Sequence, residues 1–172
     1  RVAIVSGGAS GLGRASAIRM AEEGARVVVA DIDSELGLQT CSDIGAGGGM
    51  AIFQALDVTD EEQWRSCVDC AVSTYGGLNI LVNNAGIAVG GSILTMSLED
   101  WQRQQAINLD GVFLGIKHGI PAMIDSGSGS VINISSVAGI KGAASLAAYS
   151  ATQGAGRRVT KGVANEGAAN RE

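Results

Sequence analysis

The chain has one proline, one histidine, two residues each of tryptophan, tyrosine and phenylalanine, and three cysteines. With 172 residues it is long enough to fold as one domain around one hydrophobic core, at roughly 100 to 200 residues per domain. So few thiols do not suggest a disulfide framework, and their odd number suits a reducing compartment. No apolar stretch approaches the roughly 20 residues that cross a bilayer. Positive charge is scarce: 12 Lys and Arg stand against 17 Asp and Glu, for a net charge of −5. With aromatics at 3%, this composition excludes a surface that tracks a nucleic-acid backbone. The absences together point to a soluble, cytoplasmic protein that binds neither nucleic acid nor membrane. One small anionic ligand stays compatible, because a few backbone N–H groups at a helix N-terminus suffice to hold it. The chain starts at Arg1 without Met, and we read it as a piece of a longer protein.

Glycine, by contrast, is abundant, with 26 residues. They follow no G-X-Y period and lie among apolar runs, which excludes collagen and low-complexity disorder and assigns them to turns and close contacts. Val2–Val5 is a short apolar run ending in Ser6-Gly7-Gly8, and Leu12, Ala15, Ile18, Met20 and Ala21 then approximate a helical stripe stopped by Gly24. Val27–Asp31 is β-branched and apolar on both faces, as a buried parallel strand is. The alternation continues with a helix over 34–44, a strand over 50–56, a helix over 60–74 and a strand over 79–82. A loop to Ser97 precedes a long helix running to Met123. A strand over 131–135, a small-residue loop over 137–146 and a last helix over 148–169 complete the chain. The pattern predicts an α/β fold: a doubly wound parallel sheet of the Rossmann type, strand order 3-2-1-4-5, covered by helices on both faces. The strand over 131–135 would be a sheet edge. The last helix is locally weak, since Gly154, Gly156, Gly162 and Gly167 each cost about 1 kcal/mol relative to Ala, so packing must hold it.

Gly7, Gly11 and Gly13 give Gly-x-x-x-Gly-x-Gly between a strand and a helix. There, missing side chains let the backbone approach a pyrophosphate at the positive helix end. A tight turn without a ligand would need the same residues; a P-loop is excluded because no Gly-Lys-Ser/Thr occurs. Asp31 closes the second strand, where an acid accepts hydrogen bonds from both ribose hydroxyls of an adenosine and repels a 2′-phosphate. NAD is thereby favoured over NADP. Asp57-Val58 ends the third strand at the same edge of the sheet.

Ser6-Gly7-Gly8-Ala9-Ser10-Gly11-Leu12-Gly13, Asn83-Asn84-Ala85-Gly86, Asn108, Ile134-Ser135-Ser136 and Tyr149-Ser150-Ala151-Thr152, in that order and spacing, resemble the short-chain dehydrogenase/reductase family. The resemblance implies NAD as cofactor and a small-molecule alcohol or ketone as substrate. It implies Tyr149 as general acid/base, Ser136 as the hydrogen-bond donor to the reacting oxygen, and Asn108 as the holder of a water in a proton relay. Dinucleotide contacts would come from Gly7, Ser10, Gly11, Leu12, Gly13, Asp31, Ile32, Asp57, Val58, Asn84, Ala85 and Gly86, joined by Tyr149 and Gln153. The family carries a lysine four residues after the tyrosine; this chain has Gln153. Gln153 can still hydrogen-bond a nicotinamide ribose, but a neutral amide cannot supply the charge that lowers a phenol pKa. This leaves two readings: a dehydrogenase, or an NAD-binding sensor or assembly subunit with impaired catalysis. The resemblance also implies a homo-oligomer, dimer or tetramer, built through the long helix and the last helix. Further C-terminal strands and a substrate lid are expected after Glu172.

A methyltransferase also uses a glycine turn and an acid after the second strand, but leaves Ser136 and Tyr149 unexplained. Cys67 and Cys70 share a helix face, with no second pair or nearby His to complete a metal site, so no metal is expected. His118 is the sole candidate for a Ser-His-Asp triad and reads as a helix-face residue. Trp64 and Trp101 read as packing residues. Val137, Ala138, Ile140, Ala143 and Ala147 offer a small apolar wall, which suggests a hydrophobic, alicyclic or steroid-like substrate.

Overall fold

The apolar β-branched runs pair as a five-stranded parallel sheet in a computed structural model that describes residues 1–169. The strands are β1 (Val2–Ser6), β2 (Arg26–Asp31), β3 (Met50–Ala55), β4 (Ile80–Asn83) and β5 (Ser130–Asn133), in the order β3-β2-β1-β4-β5. The fold class and strand order are those expected from the sequence. The end of the chain at Glu172 lies outside the described residues.

Successive side chains of a strand face opposite ways, and both faces here are covered, so the central strands are apolar throughout. Ile4 and Val28 join a core with Trp64, Cys67, Leu114 and Met123. These last four come from α3 (Glu61–Tyr75) and α5 (Gly111–Asp125). Val5, Val27 and Val29 join a second core with Ala17, Ala21 and Ile44 from α1 (Gly11–Glu22) and α2 (Ser34–Ala46) on the other face. Capping explains where the helices begin. The Asp33 carboxylate accepts from Leu36 N at the start of α2, and the Asp60 carboxylate from Glu62 N and Gln63 N at the start of α3. The Gln63 backbone bond first, then a bond from the Gln63 side-chain amide and the Glu62 backbone bond, hold the Asp60 carboxyl below the usual range.

Three segments depart from expectation. The single helix expected from Ser97 to Met123 is instead α4 (Leu98–Gln105), a π turn over Ala106–Asp110, and α5. The wider turn contains Asn108, whose side chain is claimed by neighbouring elements. The strand expected to reach Ser135 stops at Asn133, because its partner β4 ends at Asn83, whose carbonyl accepts the last ladder bond from Ile134 N. The loop expected over 137–146 contains a short helix, α6 (Ala138–Lys141). β5 and β3 are the edge strands; Ile132 in β5 and Ile134 just past its end are 38% and 40% exposed. The last helix, α7 (Ala147–Ala169), packs through its first turns. There Gly139 of α6 lies so close that a Cβ would sit 2.7 Å from the Gln153 carbonyl carbon. Among the described residues no helix is long and apolar enough to cross a membrane.

Gly115 shows how tightly α5 lies on the sheet. A Cβ there would meet Asn83 Oδ1 at 2.3 Å and the Trp64 ring at 2.9 Å. Alanine in an open helix position gains about 1 kcal/mol over glycine. Here overpacking reverses the sign, and Gly115→Ala should lower stability by about 1–3 kcal/mol in urea unfolding. A more stable variant would contradict this packing.

Candidate functional site

Two loops leaving the C-terminal ends of β1 and β4 are buckled together. Asn84 Nδ2 donates to the carbonyls of Ser6 and Gly7 at 3.0 and 3.3 Å. Ser6 Oγ accepts from Asn84 N and Ala85 N at 3.0 and 3.2 Å and donates to Val82 O. Within the glycine turn, Gly7 has φ +65° and Gly11 φ +53°, a region that side chains disfavour. Gly13 lies beneath the turn, where a Cβ would fall 2.0 Å from the Gly7 carbonyl oxygen.

Above this buckle opens a cavity of about 750 Å³, within the size range of small-molecule sites. Gly7, Ser10, Gly11, Leu12, Asp31, Ile32, Asp57, Val58, Asn84, Ala85 and Gly86 line it, all of them expected from the sequence. Gly13 supports the turn from below and does not line it. Leu56, Thr59, Ile87, Arg103, Ala106 and Ile107 line it too and were not anticipated. Arg103, Ala106 and Ile107 stand at i, i+3 and i+4 just before Asn108, a spacing that would have marked one helix face. The Asp31 carboxylate is fixed by two backbone donors, Ala9 N to Oδ2 at 3.0 Å and Asp33 N to Oδ1 at 3.1 Å. Each oxygen keeps a second lone pair for a ligand hydroxyl. Asp57 Oδ1 accepts from Thr59 N and Oγ1. The open helix N-terminus, the glycines without side chains and the anchored acid together fit a dinucleotide.

Ser136, Tyr149 and Gln153 lie outside this cavity, on a strip made of the β5–α6 loop and the first turns of α7, and Asn108 reaches α7 from the π turn. Ser135 Oγ donates to the Gln153 carbonyl at 3.1 Å, one turn from Tyr149. Ser136 Oγ accepts from Ala138 N at 3.2 Å, which leaves its own O–H to donate elsewhere. Tyr149 is half-buried, and its carbonyl accepts from Thr152 Oγ1 at 2.9 Å. Asn108, expected to hold a water, has its side chain bonded to two neighbouring elements. Asn108 Nδ2 donates to Ile87 O at 2.8 Å and to Thr152 Oγ1 at 3.1 Å, and Oδ1 accepts from Ile87 N at 2.8 Å. Both of its side-chain N–H groups are engaged, so the amide braces the β4–α4 loop against α7. Gln153 is buried and borders a separate space of about 20 Å³ with Asn108, Ser135, Thr152 and Arg157.

The apolar wall is partly as expected. Val137 and Ile140 are 64% and 67% exposed, close in sequence to Ser136, whereas Ala138 is buried. Leu94, 90% exposed, lies on the β4–α4 loop, which the bond from Gly91 N to Ser145 O ties to the loop before Tyr149. His118 is remote from the serines: its Nε2 meets Glu61 Oε1 at 3.1 Å, and Lys117 Nζ meets the same oxygen at 2.6 Å. Lys117 first and His118 second hold the Glu61 carboxyl low. Trp64 is buried and donates to Val58 O, a packing role. Among the described residues no group of His, Cys, Asp and Glu is placed to hold a metal ion.

The sequence model of the short chain dehydrogenase family matches residues 1–171, and the chain belongs to that family. It is 46% identical to a 2,5-dichloro-2,5-cyclohexadiene-1,4-diol dehydrogenase of Sphingobium indicum, over 96% of this chain and 66% of that protein. It is 45% identical to a 3-alpha-(or 20-beta)-hydroxysteroid dehydrogenase of Mycobacterium tuberculosis, over 96% of this chain and 63% of that protein. The chain therefore spans slightly under two thirds of the length of these curated relatives. Among solved structures, a short-chain type dehydrogenase/reductase from Mycobacterium marinum superposes with a TM-score of 0.92 at 34% identity, covering 96% of this chain and 68% of the other.

The thiols separate structure from chemistry. Burial pushes the Cys67 thiol up to about 12 and the Cys41 thiol up to about 11, so neither is a nucleophile at neutral pH. Alkylation at about pH 8 should leave both unmodified in the folded protein and modify both after denaturation. Because these values are raised on folding, the stability linked to them is complete below the ordinary thiol value of 9.0 and is lost as pH rises through 11 and 12. The urea midpoint should fall accordingly. Rapid native labelling of Cys67 would contradict its placement.

Proposed function

We propose that this chain is the dinucleotide-binding part of an NAD-dependent oxidoreductase that interconverts a secondary alcohol and a ketone, with Tyr149 as general acid/base. The observation that carries this reading is the 750 Å³ cavity with Asp31 anchored on its wall over the glycine turn. Asp31 accepts the hydroxyls of an unphosphorylated ribose there, and the exposed Ile32 beside it offers no cation for a 2′-phosphate. NAD, when bound, supplies the hydride chemistry at the substrate carbon. The chain's own residues manage the proton. Ser136 O–H donates to the substrate oxygen and positions it, while Tyr149 as phenolate takes the proton from the alcohol, or as phenol gives its proton to the ketone oxygen.

Exposed Leu94, Val137 and Ile140 beside that strip, and relatives named for cyclic diols and steroids, support a hydrophobic, alicyclic or steroid-like substrate. Homo-oligomerisation through α5 and α7 is proposed on the same footing. Outward Phe113 and Ile124 on α5 are 52% and 72% exposed, a face that association would cover.

Gln153 favours a second reading, a dinucleotide-binding sensor or assembly subunit. A phenol of pKa about 10 is a poor base at neutral pH unless a nearby positive charge stabilises its phenolate. Each lost pKa unit is about 1.4 kcal/mol, a factor of ten, so the missing charge costs turnover on the order of 10² to 10⁴. Gln153→Lys should therefore raise kcat by about that factor and move the pH profile toward lower pH, with NADH affinity changed far less. Formation of NADH from a panel of cyclic and steroidal alcohols measures it, with Tyr149→Phe abolishing the gain. Equal turnover by both forms would mean that another group performs the role assigned to lysine. Tight NADH binding with no turnover by the unmodified protein would favour the sensor reading.

A further inference from the structure

Among the described residues Arg103 is the one cation lining the large cavity, where the other charged residues are Asp31 and Asp57. Arg14, Arg19 and Arg65 are each paired with a carboxylate, and Arg26 bonds the Tyr75 carbonyl and lies over its ring. The Arg103 guanidinium makes no ion pair among the described residues, and its side chain is exposed. Its place follows from the helix. Ile107, one turn further along, packs on the core that contains Leu56 and Val58, and all three line the cavity. Arg103 lines the same cavity one helical turn before Ile107 and is exposed.

Apolar lining shared with an unpaired guanidinium suits a flat aromatic ring better than a phosphate. The plane of the guanidinium is weakly hydrated and stacks on π-systems. A diphosphate has its own donors at the glycine turn and the N-terminus of α1, which also line the cavity. We propose that Arg103 lays its guanidinium on the open face of a purine base, the adenine of the dinucleotide, and clamps it against Leu56, Val58 and Ile107. This rests on the dinucleotide reading above.

Calorimetric titration of the protein with ADP-ribose and with adenosine tests it. Arg103 is exposed, so Arg103→Met keeps the fold and the apolar stem while removing the cationic plane. The variant should bind both ligands about three- to tenfold more weakly, with a loss that persists at high salt. The Arg103 side-chain protons of the unmodified protein should move upfield when adenosine binds. Unchanged affinity for both ligands would overturn the assignment. So would a loss confined to ADP-ribose and erased by salt, which would put the guanidinium on phosphate. If the unmodified protein binds neither ligand, the dinucleotide reading falls as well; failure of the Arg103 variant alone leaves that reading standing.

Discussion

The contact on which the rest of the site depends is the approach of α1 to the turn after β1. Gly13 comes so near the Gly7 carbonyl that a single methyl group would stand 2.0 Å from its oxygen, and Asn84 Nδ2 at 2.4 Å. Asn84 in turn bonds the Ser6 and Gly7 carbonyls, so the β1–α1 and β4–α4 loops share one hydrogen-bond network. That network sets the cavity floor, aims the N-terminus of α1 into the cavity, and brings Ala9 N to the Asp31 carboxylate from the neighbouring strand. Any side chain at position 13 pushes the helix away, and the three consequences fail together.

Asn108 passes this order on to the other half of the site. Its amide joins Ile87, on the loop that closes the dinucleotide cavity, to Thr152, whose hydroxyl also bonds the Tyr149 carbonyl. The π turn that carries Asn108 interrupts an otherwise continuous helix, a local irregularity of the kind often found at functional positions. The large cavity and the strip that carries Ser136 and Tyr149 are thus separate spaces coupled by one buried side chain. Gln153 sits on the same strip with a neutral amide where the family has a charge. Under the proposed function, binding and chemistry separate at this residue: the large cavity does not include it, and the proposed acid/base step would depend on it.

Much of this was legible in the residues. The parallel sheet followed from Val27–Asp31 and its fellows, apolar on both faces, and most of the cavity from the glycine turn, Asp31 and Asn84–Gly86. The π turn was hidden, because a side chain that competes for position from another element leaves no mark on helical periodicity. The early end of β5 was set by the length of β4, a partner 50 residues away in the pair Asn83–Asn133. The bracing role of Asn108 and the presence of Arg103 in the cavity needed the tertiary structure, since each depends on what the β4–α4 loop brings near. Ala138 shows the limit of composition: an apolar residue beside a site can as well belong to the core.

The central claim is that the anchored Asp31 makes the cavity a site for a dinucleotide with a free ribose 2′-hydroxyl. Parallel fluorescence titrations of the protein with NADH and NADPH measure it most directly. The account predicts saturable NADH binding and NADPH binding at least tenfold weaker, about 1.4 kcal/mol or more. NADPH binding as tight as NADH binding would contradict it.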